Sequence, residues 1–570
     1  MTTAIISTTI TTTTTAIVSA IPPAWELLTN SFSENFVYCL NQLGRIPGGQ
    51  IILRYIKSSY QDDPIRSLFE MALVLFALSY FFSNMRLENK SELVKLSPSE
   101  IDELCQEWTP EPLVEPLTEL EKWELKTIPE IQGHNGSHIT LAGANEPVTN
   151  LASQDFLNLN ENDHIKAAAK THINQAGVGA CGPPNFYGTQ DVHVRLEEDL
   201  ARFLGAEQAI IYGQDFVTAG SVIPAFLKRG DLCVVDSGVN IAIQKALIVS
   251  RADIEWYDHN DVEHLEEILT QLKPVLDKQK PIRRRFIITE ALFATTGEIA
   301  NLPRLVELKN EFKYRLFLDE SLSIGVLGDH GRGLPEHFGV PRSEISITIG
   351  SMANAFASSG GFCVGATPMV HHQRIQSNAY VFSASLPPYS AKVTSQAIEE
   401  IENEENKLIP SLHHSIMFVY NKLDHALLST PFMITSDPQS PMIHIQLHPD
   451  VRAKLNLPFN YGNTDFISKR KPSKSLNKFD HYFNAENFIL QKIVDYVLQN
   501  GKILITRSKL ILEHENLPVL PPHLLVNLKL GISDEEINNL EKILPKAIQV
   551  VMSSFDLNNL PKLEEEIVQY

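Results

Sequence analysis

The chain has 570 residues and a formal net charge of −20, from 48 Lys and Arg against 68 Asp and Glu. That length exceeds one ordinary core, so two or more domains are expected. So acidic a chain is a poor match for a phosphate backbone, which argues against nucleic acid as a partner. Hydrophobic residues at 43% and charged residues at 20% place it among globular proteins.

Residues 1–20, MTTAIISTTITTTTTAIVSA, are Thr-rich and uncharged. β-branched hydroxyl residues form helices poorly, so this stretch reads as a disordered tail and not as a secretory leader. The rest of segment 1–66 mixes apolar and basic residues (GRIPGGQIILRYIKSSY) and reads as a membrane-surface segment. Residues 67–85, SLFEMALVLFALSYFFSNM, carry one charge, Glu70, between Arg66 and Arg86. They are long and apolar enough for a transmembrane helix, with Tyr80, Phe81 and Phe82 as an interface belt. The alternative is a buried helix of a soluble domain, which Glu70, Ser79, Ser83 and Asn84 would favour. Residues 86–150 are acidic and dotted with proline (EWTPEPLVEPLTELEKWELK). They read as an extended linker arm with the first elements of the folded body.

From residue 151 the pattern is α/β. Short apolar runs (AIIYG, LCVVD, IEWYD, RRFIITEALF, RLFLDES, ISITIG, GFCVG) alternate with helical ones such as HVRLEEDLARFL. A mostly parallel sheet covered by helices on both faces is expected over 151–420, with ligands at the carboxyl ends of its strands. A smaller α+β domain follows over 421–570, with strands in MIHIQLHP, GKILITRSK and HLLVNLKL. The polar, basic stretch 455–480 reads as a loop inserted in it. The five cysteines (Cys39, Cys105, Cys181, Cys233, Cys363) lack CxxC or CxH spacing. They read as free thiols, with no metal site.

RLFLDES delivers Asp319 to the carboxyl end of an apolar strand. There it could cap the next helix or hold a protonated ring nitrogen. Further on, TIGSMANAFASSGG ends in Gly360 and Gly361, and FSASLPP covers 382–388. In this order the three segments resemble the α-oxoamine synthase family over roughly residues 150–550. The resemblance implies a fold-type I pyridoxal-phosphate (PLP) transferase: a mostly parallel seven-stranded sheet, a smaller C-terminal domain and a dimer with shared active sites. Catalytic members read D-E-A-H-S-I-G where this chain has DESLSIG, and T-x-T-K-S-F-G-x-x-G-G where it has SMANAFASSGG. By that match Asn354 stands at the Schiff-base lysine position, Leu322 replaces the motif histidine and Asn240 replaces a ring-stacking histidine. Asp319, Gly360 and Gly361 remain of a vestigial cofactor pocket. No lysine lies between Lys313 and Lys392, and no arginine follows Arg507 to grip a substrate carboxylate. An amide forms no Schiff base, so no catalytic residue is expected on this chain.

GVGACGPPNFYGTQDVHVRLEEDLARFLG (177–205) and the apolar segment before the body narrow the resemblance to non-catalytic subunits of membrane-bound, heteromeric members of the family. What it implies is a complex that condenses L-serine with palmitoyl-CoA to 3-ketodihydrosphingosine, in the endoplasmic reticulum membrane with its body in the cytosol. The partner is a catalytic long-chain-base subunit that binds PLP covalently, with small regulatory membrane subunits and membrane lipids as further contacts. Cys181, Tyr187, Phe382, Ser383 and Ser385 would support the partner's active site across the interface. Cys181 is expected to pack there, not to react. Arg332 and the glycines of GDHGRGLPEH would shape an interface turn, with no catalytic role for His330 or His337, and His371 and His372 read as a solvated helix face. Two other readings stay open: a homodimer using a displaced lysine such as Lys313, and a scaffold with no part in an active site.

Overall fold

The seven apolar runs of the α/β region become the strands of one sheet. Within it they are β1 (Gln208–Tyr212), β2 (Leu232–Asp236), β3 (Asp253–Tyr257), β4 (Arg285–Glu290), β5 (Arg315–Asp319), β6 (Ile347–Ser351) and β7 (Gly361–Gly365). Their spatial order is β1-β7-β6-β5-β4-β2-β3. Only β7 runs against its neighbours, pairing antiparallel with β1 and β6. Alternate residues of each strand feed opposite cores. Val234, Ile287, Leu316 and Leu318 join one cluster; Cys233, Val235, Phe286, Ile288 and Phe317 join the other. A sheet buried on both faces needs such continuous apolar runs, which is why they are legible in the sequence.

The computed structural model describes residues 47–88, 96–463 and 480–555, apart from residues 109, 111, 115, 145, 511, 513 and 514, and also residues 38, 42, 44 and 45. The Thr-rich tail, Cys39 and most of segment 455–480 lie outside the described residues. The chain divides into two compact units, Met1–Glu115 and Pro116–Tyr570.

In the first unit, helix Gly49–Asp62 is followed after one residue by helix Pro64–Glu88. The stretch Pro64–Phe82 is long and apolar enough to cross a membrane, starting three residues before the expected span. None of it is buried, unlike the buried soluble helix that was the alternative. Its 19 residues rise about 28 Å at ~1.5 Å each, close to a hydrocarbon core of about 30 Å.

The expected extended arm differs from the structure. Helices Pro98–Glu107 and Glu119–Lys126 form within it, each opened by a reciprocal cap: Ser97 with Glu100, and Thr118 with Glu121. SPSE and TELE are capping boxes, which satisfy two orphan amide donors at a helix start. Trp123 is buried, with its ring 5.7 Å from that of Phe488, while Arg507 grips Glu124 through two 2.7 Å bonds. Residues 131–150 then add three short strands to a sheet whose fourth strand is Ile503–Leu504. A second, antiparallel C-terminal sheet runs Phe432–Ile434, Met442–Leu447, Leu524–Asn527, Thr506–Arg507, with helices Leu408–Leu427, His481–Gly501 and Asp534–Ser554 beside it.

Candidate active site

Three apolar strands end on an acidic residue at the same edge of the sheet: Asp236 on β2, Glu290 on β4 and Asp319 on β5. Glu290 and Asp319 are cross-strand partners, and both are buried. Asn240, which opens helix Ile241–Ser250, ties them together. Its amide Nδ2 donates to Asp319 Oδ2 at 3.1 Å, and its backbone N–H donates to Glu290. Its Oδ1 accepts from Ile243 N at 3.2 Å, capping the helix. The second Asp319 oxygen accepts from Ser321 N at 2.9 Å.

The loop after β6 closes over this group. Asn354 Nδ2 donates to the Ser321 carbonyl at 3.0 Å, joining that loop to the turn after β5. Leu322 is buried in the larger apolar cluster. Gly360 has φ +87°, and a Cβ there would sit 2.4 Å from the Tyr212 carbonyl; a Cβ on Gly361 would sit 2.2 Å from Thr218 Oγ1. The glycines make room for the chain's own backbone and side chains, where the residue pattern also allowed a close ligand. Lys313 follows helix Leu302–Phe312 and precedes β5, at the opposite end of that strand from Asp319.

Burial pushes the Asp319 carboxyl up, with the Ser321 and Asn240 hydrogen bonds opposing it. Burial also pushes Glu290 well up, and the Asp319 charge adds to this. Asp215, just before helix Phe216–Phe226, is pushed up to about 6 by burial, against a hydrogen bond with Ser351 and with the charge of Asp319. The site therefore resists further negative charge. A covalently held pyridoxal phosphate needs an amine, which the family resemblance places at position 354, and a carboxylate free for its ring nitrogen. The chain offers an amide bonded to Ser321 and a carboxylate already engaged twice. These residues do not fit that group.

A second set of residues meets on a neighbouring surface. The Gly-rich turn 177–188 and the segment after helix Asn378–Phe382 are latched by Ser385 N donating to the Gly182 carbonyl at 2.9 Å. Gly188 is obligatory in this turn, since a Cβ would lie 1.9 Å from the Gly182 carbonyl oxygen. Val178, Phe186, Tyr187 and Phe382 are exposed there, and Cys181 and Ser383 are exposed as well. Cys181 (φ +59°) and Tyr187 (φ +71°) both adopt left-handed backbone. Ser385 lines a cavity of about 190 Å³ with Pro184, Val194, Ile211 and Leu386, and its buried Oγ has no hydrogen-bond partner among the described residues.

Thus Asp319, Asn240, Leu322, Asn354, Gly360 and Gly361 gather at the strand ends, and Cys181, Tyr187, Phe382, Ser383 and Ser385 gather on the exposed loops. Cys181 is exposed on this chain. One expectation is corrected. His372 is half-buried, with Nε2 2.9 Å from the Ala225 carbonyl, while only His371 faces solvent. In the 328–337 turn, Glu336 accepts from the backbone N–H groups of His330 and Arg332. Sequence reasoning missed Glu290 and Asp215. Glu290 carried the same signal as Asp319, an acid ending an apolar strand; Asp215 carried none. It also missed His259, whose Nδ1 lies 2.9 Å from Asp236 Oδ1 and Nε2 3.0 Å from Thr296 Oγ1.

Residues 146–509 match the model of aminotransferase class I and II. The chain is 41% identical over 540 residues to serine palmitoyltransferase 1 of Saccharomyces cerevisiae, covering 91% of this chain and 94% of that protein. It is 35% identical to serine palmitoyltransferase 1 of Dictyostelium discoideum, over 88% of this chain and 98% of that one. A solved serine palmitoyltransferase from S. paucimobilis, with a bound PLP–myriocin aldimine, superposes with a TM-score of 0.60 at 17% identity, covering 75% of this chain and 93% of that one; it speaks for the fold alone. With relatives this similar over nearly the whole length, and a sheet of the PLP-transferase kind beneath the match, the chain belongs to the serine palmitoyltransferase 1 family of the class I and II aminotransferases.

Proposed function

We propose that this chain is the non-catalytic subunit of a heteromeric serine palmitoyltransferase, which condenses L-serine with palmitoyl-CoA to 3-ketodihydrosphingosine and opens sphingolipid synthesis. The observation that carries the reading is at position 354. An asparagine amide, bonded to the Ser321 carbonyl, occupies the place where the family resemblance puts the lysine. The nearest lysine before it, Lys313, belongs to the far end of β5. Pyridoxal 5′-phosphate, which supplies the electron sink for this chemistry, is held covalently by the partner, the catalytic long-chain-base subunit 2.

This chain's part is structural support at the shared interface. Cys181, Tyr187, Phe382, Ser383 and Ser385 form the surface offered to the partner's site. The exposure of Cys181, Tyr187, Phe382 and Ser383, and the latch that holds half-buried Ser385 to Gly182, support that assignment. The hydroxyls of Ser383 and Ser385 are neutral donors suited to a phosphate. Segment 67–85 anchors the complex in the endoplasmic reticulum membrane, with the body facing the cytosol and small regulatory membrane subunits beside the span. A lipid-soluble acyl chain is a physical reason for that location. The chain is read as a tail (1–66), span (67–85), arm (86–150), large domain (151–420) and small domain (421–570).

The experiment is to purify the chain alone and with the lysine-bearing subunit. Alone it should give no borohydride-trapped PLP adduct and no ketone product; together the two should give both, with the adduct on the partner. An adduct on this chain would overturn the reading. In the active pair, Cys181→Ala and Ser385→Ala should change turnover or amino-acid choice without separating the subunits. Unchanged kinetics in both would favour a scaffold with no role in the site.

A further inference from the structure

Helix Gly49–Asp62 has two faces of unlike chemistry. Around its axis Ile51, Ile52, Leu53 and Tyr55 fall on one side, with Ser59 and the terminal Asp62 among them, while Gln50, Arg54, Lys57, Ser58 and Gln61 fall on the other. The apolar side is open: Ile51 is 74% exposed, Ile52 52% and Tyr55 62%. Arg54 and Lys57 are exposed too. A 14-residue helix with that much bare apolar surface is not explained by the protein's own packing.

What lies next in the chain says what covers it. A single residue, Asp63, separates this helix from Pro64–Glu88, whose stretch to Phe82 is long and apolar enough to span a membrane. The corner is built. Asp63 Oδ1 accepts from the backbone N–H of Ile65 and of Arg66 at 3.2 Å each, capping the second helix. Ser59 Oγ lies 2.8 Å from Ser67 Oγ, bridging the two helices one turn either side of the corner. The corner falls at the end of the apolar span, where hydrocarbon gives way to headgroups. A helix leaving that level is held at the height of the headgroups by its connection.

We propose that Gly49–Asp62 lies in the plane of the membrane surface, with Ile51, Ile52 and Tyr55 sunk among the acyl chains and Arg54 and Lys57 turned up to lipid phosphates. Such a helix combines an apolar face with a basic polar one, as interfacial helices do. The occupant of the apolar face is lipid, because the neighbouring helix brings lipid to that level and the Ser59–Ser67 bridge holds the two together. The helix then fixes the depth of the span, and the basic side chains favour an anionic leaflet.

The test uses the full chain with its partner subunit, reconstituted in vesicles of phosphatidylcholine and phosphatidylserine. Single cysteines carrying an environment-sensitive fluorophore are placed at Ile52, Tyr55, Arg54 and Lys57, and at Leu75 in the span, after Cys39, Cys105 and Cys181 are changed to serine. Quenching by spin-labelled acyl chains should be several-fold stronger at positions 52 and 55 than at 54 and 57, and aqueous iodide should show the reverse order. Leu75 should be quenched most by the lipid probe. If Leu75 is quenched and positions 52 and 55 are not, the interfacial helix is refuted and the span survives. If Leu75 is not quenched either, both are refuted. Positions 52 and 55 shielded from iodide but unquenched by lipid would mean that a protein covers the face, and would also overturn the proposal.

Discussion

Asn240→Ala separates the physical claims made about the strand-end site. The substitution leaves the backbone N–H to Glu290 in place and removes two side-chain bonds: the 3.2 Å helix cap to Ile243 N and the 3.1 Å bond to Asp319. Losing an N-cap costs about 1 kcal/mol. Losing a hydrogen bond to a charged group costs about 1.5–3 kcal/mol, and one to a neutral group about 0.5–1.5. The sum is therefore about 2.5–4 kcal/mol while Asp319 is ionised and about 1.5–2.5 kcal/mol once it is protonated.

The sign of the pH dependence follows from Asp319. Its folded pKa is raised by burial, so the stability tied to its protonated form is present below the ordinary carboxyl range and is lost as pH rises through the raised value. Asn240 is one of the donors that oppose the rise. Removing it pushes the carboxyl further up and deepens the loss at neutral pH. Pulse proteolysis in urea, run near pH 5 and near pH 7.5, should show a larger deficit for Asn240→Ala at the higher pH. Asn240→Asp, which sets a second carboxylate beside the first, should be worse there. A deficit under about 0.5 kcal/mol at both pH values, the size of an ordinary surface change, would refute the reasoning. So would a deficit that grows toward pH 5.

His523 is buried with its pKa pushed down to about 4, first by burial, and His444, its buried ring neighbour at 4.5 Å, is also pushed down. Both fold neutral, so the stability they carry is present above about pH 6.5 and is lost as pH falls toward 4, up to about 3 kcal/mol for His523; His523→Phe should flatten urea midpoints measured across that window. Arg507→Met removes the two bonds to Glu124 and the cation over the Trp123 ring, 5.2 Å away. Breaking a buried pair costs about 3–5 kcal/mol, reduced here to about 2–3 because Glu124 is more than a third exposed. Hydrogen exchange should then rise through residues 119–130 while β4 and β5 keep their protection. Gly360→Ala adds about 1–2 kcal/mol of left-handed strain before its clash with the Tyr212 carbonyl, and should cut the yield of assembled complex on size exclusion; normal yield would show that the loop yields freely.

Six strands of the central sheet were legible because each is a short apolar run buried on both faces; the edge strand β3 was legible from its alternation instead, with Asp253 and Glu255 exposed. The membrane-length helix was legible from the length of its apolar run, though its start moved from residue 67 to Pro64. The arm was misjudged as extended because its prolines and acids outweighed two four-residue caps, SPSE and TELE, that its own sequence spelled out. Asp319 was legible as a strand-ending acid. Its engagement by Asn240 was not, since the two are 79 residues apart and meet only when β5 and the helix after β2 share an edge.

By itself, then, the sequence determined what depends on local periodicity and residue chemistry: strand runs, the apolar helix, the acid at the end of β5 and an amide at position 354. Only the tertiary structure decided the β1-β7-β6-β5-β4-β2-β3 order, the reversed β7 and the latch between Gly182 and Ser385. It also decided that the Asp319 carboxylate accepts from Asn240 and Ser321. Those features arise from contacts between distant segments, and burial, which sets the charge on Asp319 and Glu290, exists only after the chain has closed around them.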